Sequence, residues 1–295
     1  MASRVPAASQ FAVYGPTFLD VVMGPLDGPP VPGREAWVEG ALMCAGGAAN
    51  QAIALARLGV PVRLHSRVGV DQMGVFVDEM LAREGVDTSS CERVGDQNVT
   101  VSLSFDGDRA MTTRGTTSLP RLGGDAPACL LADVRGISAN SEVVSSWRER
   151  GTWVLADTAW DEAGAWDEAD LESLRLADVC TPNEEEALAY ARTENVEDAA
   201  RWFASFGCDC VVTCGKNGVI ACVDGQILHV PAPAVRAVDT TGAGDVFSAA
   251  LAWARRTRRM SWPEALALAC EAAAHSTQGI GGSSSAPYAA DLPGA

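Results

Sequence analysis

The chain has little positive charge and almost no lysine. Among its 295 residues, Lys216 is the one lysine; the rest of its 22 basic residues are arginines, set against 38 acidic residues. The net charge of −16 argues against a nucleic acid or an anionic membrane as a partner, because neither would find the basic surface that it needs. A local group of arginines or backbone amides can still bind a small anion despite this charge.

Long apolar runs and ligand-like histidine patterns are also missing. No apolar run approaches the ~20 residues that span a bilayer, and the three histidines lie far apart without a metal-binding spacing. The nine cysteines are scattered, odd in number and not preceded by a secretory signal, which is typical of reduced, buried thiols. We therefore expect a cytoplasmic protein with no membrane partner.

The pattern of apolar segments and glycines predicts an α/β protein. Strands and helices alternate regularly after Pro127, which favours βαβ units and a parallel sheet with helices on both faces. Hairpin-like segments earlier in the chain interrupt this alternation, including a turn signal at residues 106–108. We predict one domain over residues 11–290, with a small β lid formed by segments at about 33–45 and 97–115, and a loose tail over residues 1–10.

The most informative segment is residues 239–245, Asp-Thr-Thr-Gly-Ala-Gly-Asp, which precedes a predicted helix over residues 246–258. Its glycines allow the backbone to approach a ligand closely, and the N–H groups at a helix start favour an anion. Asp245 places a candidate general base in the same turn. This pairing suits phosphoryl transfer to a hydroxyl group. The alternative interpretation is a helix capped by Thr241 with an acidic first turn.

The whole segment resembles the signature of the ribokinase-like, or PfkB-type, carbohydrate kinases. The resemblance extends from about Phe11 to Gly282 and implies a ribokinase-like three-layer α/β fold, with a mostly parallel central sheet and a small β lid. It implies an ATP-dependent sugar kinase in which Asp245 is the catalytic base. Gly242, Ala243 and Gly244 then form the anion hole.

Two further segments that follow predicted strands match nucleotide-side motifs of that family. Asn183 and Glu186 match its N-x-x-E motif, which organises Mg²⁺ and its waters; the alternative is a capped helix start. Thr213, Gly215 and Gly218 match a loop that lines the nucleotide; the alternative is a simple turn.

The sugar side of the resemblance involves two other segments. Gly46, Gly47 and Asn50 are similar to the glycine pair and asparagine that hold the sugar, although tight helix–sheet packing would also explain the glycines. Asp20 matches an early aspartate that binds sugar hydroxyls, a role for which a carboxylate is well suited. A monovalent cation such as K⁺ near Asp239 and Thr241, and a homodimer formed through the β lid, are further properties that the resemblance suggests.

The substrate is less defined than the reaction. Ala48 and Ala49 stand where phosphofructokinase-like members usually have a lysine, which disfavours a phosphorylated sugar. Arg135, predicted to end a strand, is similar to an arginine that binds the sulfonate in sulfofructose kinases, although a surface ion pair would also explain it. The main prediction is a neutral ketose or pentose; the alternatives are an anionic sugar, a nucleoside, or an inactive sugar-binding regulatory module.

Overall fold

The computed structural model describes residues 10–105, 108–158, 161 and 163–294. The predicted tail at residues 1–9 and the turn residues Asp106 and Gly107 lie outside this range. The α-helices are α1 (Ala48–Arg57), α2 (Gln72–Arg83), α3 (Val134–Ala139), α4 (Ser141–Glu149), α5 (Glu184–Ala191), α6 (Val196–Ala204), α7 (Ala243–Arg256) and α8 (Trp262–Ser276). The strands are β1 (Phe11–Tyr14), β2 (Thr17–Leu26), β3 (Gly40–Gly47), β4 (Val62–His65), β5 (Arg67–Val68), β6 (Glu92–Arg93), β7 (Asn98–Phe105), β8 (Asp108–Arg114), β9 (Cys129–Asp133), β10 (Trp153–Asp157), β11 (Val179–Cys180), β12 (Asp209–Thr213), β13 (Val219–Val223) and β14 (Gln226–Val230).

The main sheet has eight strands in the order β14-β13-β12-β11-β10-β9-β1-β4. The pairs from β12 to β4 are parallel, and only the β12–β13 and β13–β14 pairs within this sheet are antiparallel. Buried strands with apolar residues on both faces are typical of a parallel sheet covered by helices. The predicted, mostly parallel central sheet is therefore confirmed.

Helices cover both faces of this sheet. Alternate residues of β1 face opposite sides: Phe11 and Val13 pack with α1, α2, α7 and α8, whereas Ala12 and Tyr14 pack with α3 to α6. The result is the predicted three-layer α/β arrangement. Because the carboxyl ends of parallel strands share one edge, side chains following β9, β10 and β11 converge there.

A second, four-stranded sheet in the order β3-β2-β7-β8 forms the lid. Its central strand β2 pairs antiparallel with β3 and parallel with β7. The sequence prediction missed β2 altogether, and the first predicted lid segment, at about 33–45, becomes a strand only from Gly40. The other lid strands occupy residues 40–47, 98–105 and 108–114, and β2 lies between β3 and β7 to join them into one sheet.

The chemistry of the cysteines matches the expectation for reduced thiols. All nine are free and buried, so each contributes to packing in place of forming a disulfide. No helix within the described part of the chain has the length and apolar character needed to cross a membrane.

Candidate active site

The start of helix α7 forms the centre of the site. Gly242 precedes the helix in the left-handed region at φ 69°, and a Cβ there would approach Cα of Gly282 to 2.9 Å. Gly244, in contrast, is exposed, and a Cβ would meet nothing within 4 Å. The first glycine is thus required by backbone geometry and packing, whereas the second keeps open space beside the amides of the first turn.

The carboxylate of Asp245 lies in this first turn and is held by two amide side chains. Asn50 donates from Nδ2 to Oδ2 at 3.0 Å, and Gln51 donates from Nε2 to Oδ1 at 3.2 Å. Burial raises the pKa of Asp245 to about 6, while the two hydrogen bonds act in the opposite direction. A carboxylate with this pKa is ionised near neutral pH and is a better proton acceptor than an ordinary aspartate.

Asn50 also connects Asp245 to the segment after α8. Its Oδ1 accepts from the backbone N–H of Ser283 at 3.2 Å, and the side chain is buried. Both ends of the Asn50 amide therefore bond to protein, which fixes the position of the base. The sugar contact implied for Asn50 stays a prediction.

Asp20 projects from the lid towards this centre. It pairs in register with Cys44 on β3 and Thr100 on β7. Burial first, and then the negative charge of Asp245, raise the pKa of Asp20 to about 6, whereas a hydrogen bond from Thr100 lowers it. The lid thus places a second carboxylate close enough to Asp245 for their charges to interact.

Gly46 and Gly47, at the end of β3, are each required for a different structural reason. A Cβ at Gly46 would lie 1.8 Å from Oδ2 of Asp20, so only glycine leaves room for that carboxylate. Gly47 has φ 63°, and a Cβ there would lie 2.4 Å from the carbonyl oxygen of Pro16. Gly46 therefore accommodates the Asp20 carboxylate, and Gly47 permits the sharp entry into α1.

Asn183 and Glu186 form a reciprocal helix cap at the start of α5. The Asn183 side chain accepts from the Glu186 N–H at 2.9 Å, and Oε2 of Glu186 accepts from the Asn183 N–H at 3.0 Å. The same Oε2 also accepts from the Thr158 hydroxyl at 2.7 Å. The capping interpretation of this motif is thus confirmed, and the metal role of the buried Glu186 stays a prediction.

Asp157, at the carboxyl end of β10, is a site residue that the sequence prediction missed. Burial first, and then the charges of Glu186, Asp245 and Asp133, raise its pKa to about 8. Four carboxylates are therefore electrostatically coupled at this edge of the sheet. No set of three potential ligands among the described residues has metal-binding geometry, so this edge is not a preformed metal cage.

The predicted nucleotide loop lies next to the Asn183 cap. Thr213 forms a parallel bridge with Asn183, and its N–H donates to the Pro182 carbonyl at 2.9 Å. Gly218 has φ 90°, and a Cβ there would lie 2.1 Å from the Val230 carbonyl oxygen, whereas a Cβ at Gly215 would meet nothing within 4 Å. The two predicted segments thus form one continuous surface, on which Gly215 leaves open space.

Arg135 is located differently from the prediction. Strand β9 ends at Asp133, whose side chain caps α3 by accepting from the Gly136 N–H at 2.5 Å, so Arg135 lies in a helical first turn. It is exposed. Burial raises the pKa of Asp133, and backbone hydrogen bonds, first from Trp166, lower that of Asp161; the charge of Arg135 is a smaller, lowering effect on each carboxyl. The prediction that Arg135 ends a strand was wrong.

The loop before α7 contains the residues considered for a monovalent cation. Both carboxylate oxygens of Asp239 accept backbone hydrogen bonds, from Thr241 at 2.9 Å and from Gly281 at 2.8 Å. The Thr241 hydroxyl oxygen is buried and forms no hydrogen bond within the described structure. An unsatisfied buried oxygen of this kind is chemically suited to a cation.

The comparisons with known proteins agree on one group of enzymes. The family model described as pfkB family carbohydrate kinase matches residues 39–118 and 137–289. A fructokinase of Klebsiella pneumoniae is 35% identical over 236 residues, covering 71% of this chain and 76% of that protein. A ribokinase of Haemophilus influenzae is 30% identical over 261 residues, covering 82% and 83% of the two chains. The structure of Arabidopsis thaliana ribokinase complexed with ribose and ATP has a TM-score of 0.79 at 25% identity, covering 96% of each chain.

Proposed function

Because this chain belongs to the pfkB family of carbohydrate kinases and is a sugar kinase, we propose that it transfers the γ-phosphoryl group of ATP to the primary hydroxyl of a ketose or pentose. The observation that carries the proposal is Asp245, a carboxylate with a pKa of about 6 in the first turn of α7. A general base and an array of helix-start amides lie together at that point. These are the two groups that phosphoryl transfer to an alcohol requires.

In the proposed step, the sugar oxygen attacks the γ-phosphorus and its proton passes to the Asp245 carboxylate. A bond forms between that oxygen and phosphorus, and the bond from phosphorus to the β–γ bridging oxygen breaks, which releases ADP. The amides of Gly242, Ala243 and Gly244 stabilise the negative charge that spreads over the transferring group. Asp20 accepts hydrogen bonds from the sugar hydroxyls, next to Gly46 and Gly47.

We assign ATP to the surface formed by Thr213, Gly215 and the Asn183 cap. Mg²⁺ would neutralise phosphate charge there, and it keeps several waters while using few protein carboxylates. Asp157 and Glu186 fit such a water-mediated role, because they supply oxygen ligands at one edge of the sheet and their mutual repulsion favours a cation. Activation by K⁺ is a separate part of the proposal; the unpartnered hydroxyl of Thr241 beside Asp239 supports it.

A neutral sugar fits the surroundings of Arg135 better than an anionic one. Asp133 and Asp161 lie close to its guanidinium, so the positive charge is already opposed by protein carboxylates. Arg135→Met should then change the KM for fructose and for an anionic fructose derivative by less than about tenfold. A selective rise of at least that size for the anionic sugar would favour the alternative substrate class.

The direct test is an ATP-consumption screen across sugars and nucleosides with wild type and Asp245→Asn. Loss of the base should reduce kcat by about 10²- to 10⁴-fold or more. Asp125→Asn, which removes the same charge from an exposed position, is the matched control and should keep full turnover. Absence of turnover with every acceptor would support the inactive sugar-binding module instead.

We also propose that two copies associate through the outer face of the lid. Val21 pairs in register with Met43 and Val101, so the three form one apolar row on the face opposite Asp20. Met43 on β3 is 49% and Val101 on β7 is 38% exposed, so the two strands that flank β2 both present apolar surface on this face. Met43→Glu should lower the molar mass measured by light scattering from dimer to monomer, whereas Val75→Glu, on the exposed side of α2, should not.

A further inference from the structure

A cluster of arginines surrounds a cavity at the end of α7 opposite Asp245. The cavity has a volume of about 380 Å³ and is lined by Arg255, Arg256, Arg259 and Met260. Arg255 and Arg256 follow Asp245 by 10 and 11 residues along α7, so at 1.5 Å per residue this cavity lies ~15 Å from the base. It is therefore distinct from the site of phosphoryl transfer.

Within the described residues, these arginines have no carboxylate at ion-pair distance, although more distant carboxylates act on Arg255. Eight arginines elsewhere in the described chain form ion pairs within 4 Å: Arg57, Arg63, Arg83, Arg93, Arg114, Arg148, Arg175 and Arg201. No ion pair of this kind, within the described residues, involves the cavity arginines. Asp209 and Asp224 are the carboxylates that act on Arg255 from a greater distance, and burial nevertheless lowers the pKa of its guanidinium. In a chain with a net charge of −16, unpaired arginines around one cavity indicate a site for an anion.

Neighbouring groups contact two of the three cavity arginines. The Arg255 guanidinium lies 4.1 Å from the centre of the Trp262 ring and donates from Nη1 to the Met260 carbonyl at 2.5 Å. Arg256 lies 5.9 Å from the Trp153 ring. Stacking covers a guanidinium face and leaves its N–H edges to bind oxygen, so little side-chain entropy is lost when an anion binds.

The backbone at Arg259 adds to this evidence. Arg259, three residues after the end of α7, has φ 56°, a conformation where glycine is the usual residue. A long cationic side chain therefore occupies a position whose backbone geometry favours glycine.

We infer that this cavity binds the phosphate group of a phosphorylated small molecule at a second site, separate from the catalytic centre. Several guanidinium groups suit a multiply charged tetrahedral anion, which accepts their hydrogen bonds on several oxygens. The volume falls within the range of small-molecule sites, so it accommodates a phosphate together with a small organic group.

The test measures binding of pyrophosphate by titration calorimetry without Mg²⁺, in wild type and in Arg256→Gln/Arg259→Gln. Loss of two charge-assisted contacts should weaken this binding by about tenfold or more. Arg83→Gln/Arg175→Gln is the matched control, because it removes the same charge from exposed positions outside the cavity. Unchanged binding in the cavity variant, or equal weakening in both variants, would overturn the inference.

Parallel titrations with inorganic phosphate, ribose 5-phosphate and AMP identify the source of the phosphate group. A ligand that depends on the cavity arginines and binds at least about tenfold more tightly than inorganic phosphate identifies a sugar phosphate or a nucleotide. Equal affinities identify the free ion. Failure of all these probes to bind in a cavity-dependent way would refute the site. The cavity variant should retain wild-type ATP turnover in the absence of added phosphate compounds, so this outcome is independent of the assignment of Asp245.

Discussion

Replacing Gln51 by methionine tests how the strength of the base Asp245 is set. The substitution keeps the length of a buried side chain but removes the Nε2 donor, which lies 3.2 Å from Oδ1 of Asp245. The bond from Asn50 at 3.0 Å remains. Asp245 then loses one of the two hydrogen bonds that oppose the effect of burial on its pKa.

The expected shift follows from the energy of that bond. A hydrogen bond to a charged group contributes ~1.5–3 kcal/mol, and one pKa unit corresponds to ~1.4 kcal/mol, so the pKa of Asp245 should rise by at least ~1 unit from its value of about 6. The base is active when it is ionised, and activity is lost as the pH falls through its pKa. The variant should therefore lose kcat/KM by about fivefold or more near pH 6, and the loss should disappear as the pH rises well above the new pKa.

The assay is the pH dependence of kcat/KM for the best sugar found in the screen, because this parameter reports the free enzyme. Gln226→Met, at an exposed position on β14, is the control for a glutamine-to-methionine change and should leave the profile unaltered. An acidic limb at the same pH in Gln51→Met would refute the reasoning about the pKa. A loss of equal size at every pH would instead show that Gln51 orients the carboxylate without setting its pKa.

Five further variants test other parts of the site. Gly242→Ala should destabilise the protein by more than ~1 kcal/mol, because Gly242 has a positive φ. Gly244→Ala should keep the melting temperature, because a Cβ there meets nothing, and should lower kcat. Thermal unfolding and steady-state rates measure the two effects. Asp157 has a pKa of about 8 in the folded state, so its contribution to stability should fall as the pH rises from about 4 to 8. Asp20 and Asp245, each with a pKa of about 6, add to this fall only up to about pH 6, so Asp157→Asn should remove the fall between about pH 6 and 8, by ~2–4 °C for each kcal/mol recovered. A melting curve that keeps the fall in that range would contradict the assignment. Glu186→Gln retains an acceptor for the α5 cap and should raise the Mg²⁺ concentration for half-maximal rate; an unchanged titration would leave this residue with its capping role alone. Asp20→Ala should raise the sugar KM by about tenfold or more with little change in the ATP KM, and a loss confined to ATP would place Asp20 at the wrong end of the site.

The features that the sequence predicts well depend on local chemistry. The glycines before Asp245 are needed at a helix start, and the structure places that carboxylate in the first turn of α7. The alternation of apolar segments after Pro127 likewise determines a parallel sheet, because each strand and helix has its own periodicity. Asn183 and Glu186 lie three residues apart, which is the spacing of a capping box.

The features that the sequence does not reveal depend on distant contacts. Strand β2 carries Asp20 and contains Gly24 and Pro25, so it lacks a clean strand pattern; its neighbours β3 and β7 define it. Gln51 donates a hydrogen bond to Asp245, 194 positions away, and no local sequence pattern predicts that contact. Asp157 at the end of β10 could have been found by weighting acidic residues that follow a buried strand.

The position of Asn50 limits how this enzyme can diverge. Strand β3 of the lid runs directly into helix α1, and Asn50 follows the last residue of β3 by three positions. A lineage that replaces the lid to accept another sugar therefore also moves the residue that positions Asp245. Changes of specificity and of catalytic strength are inherited together here, so lid exchange between relatives should succeed only when the segment through Gln51 is transferred with it.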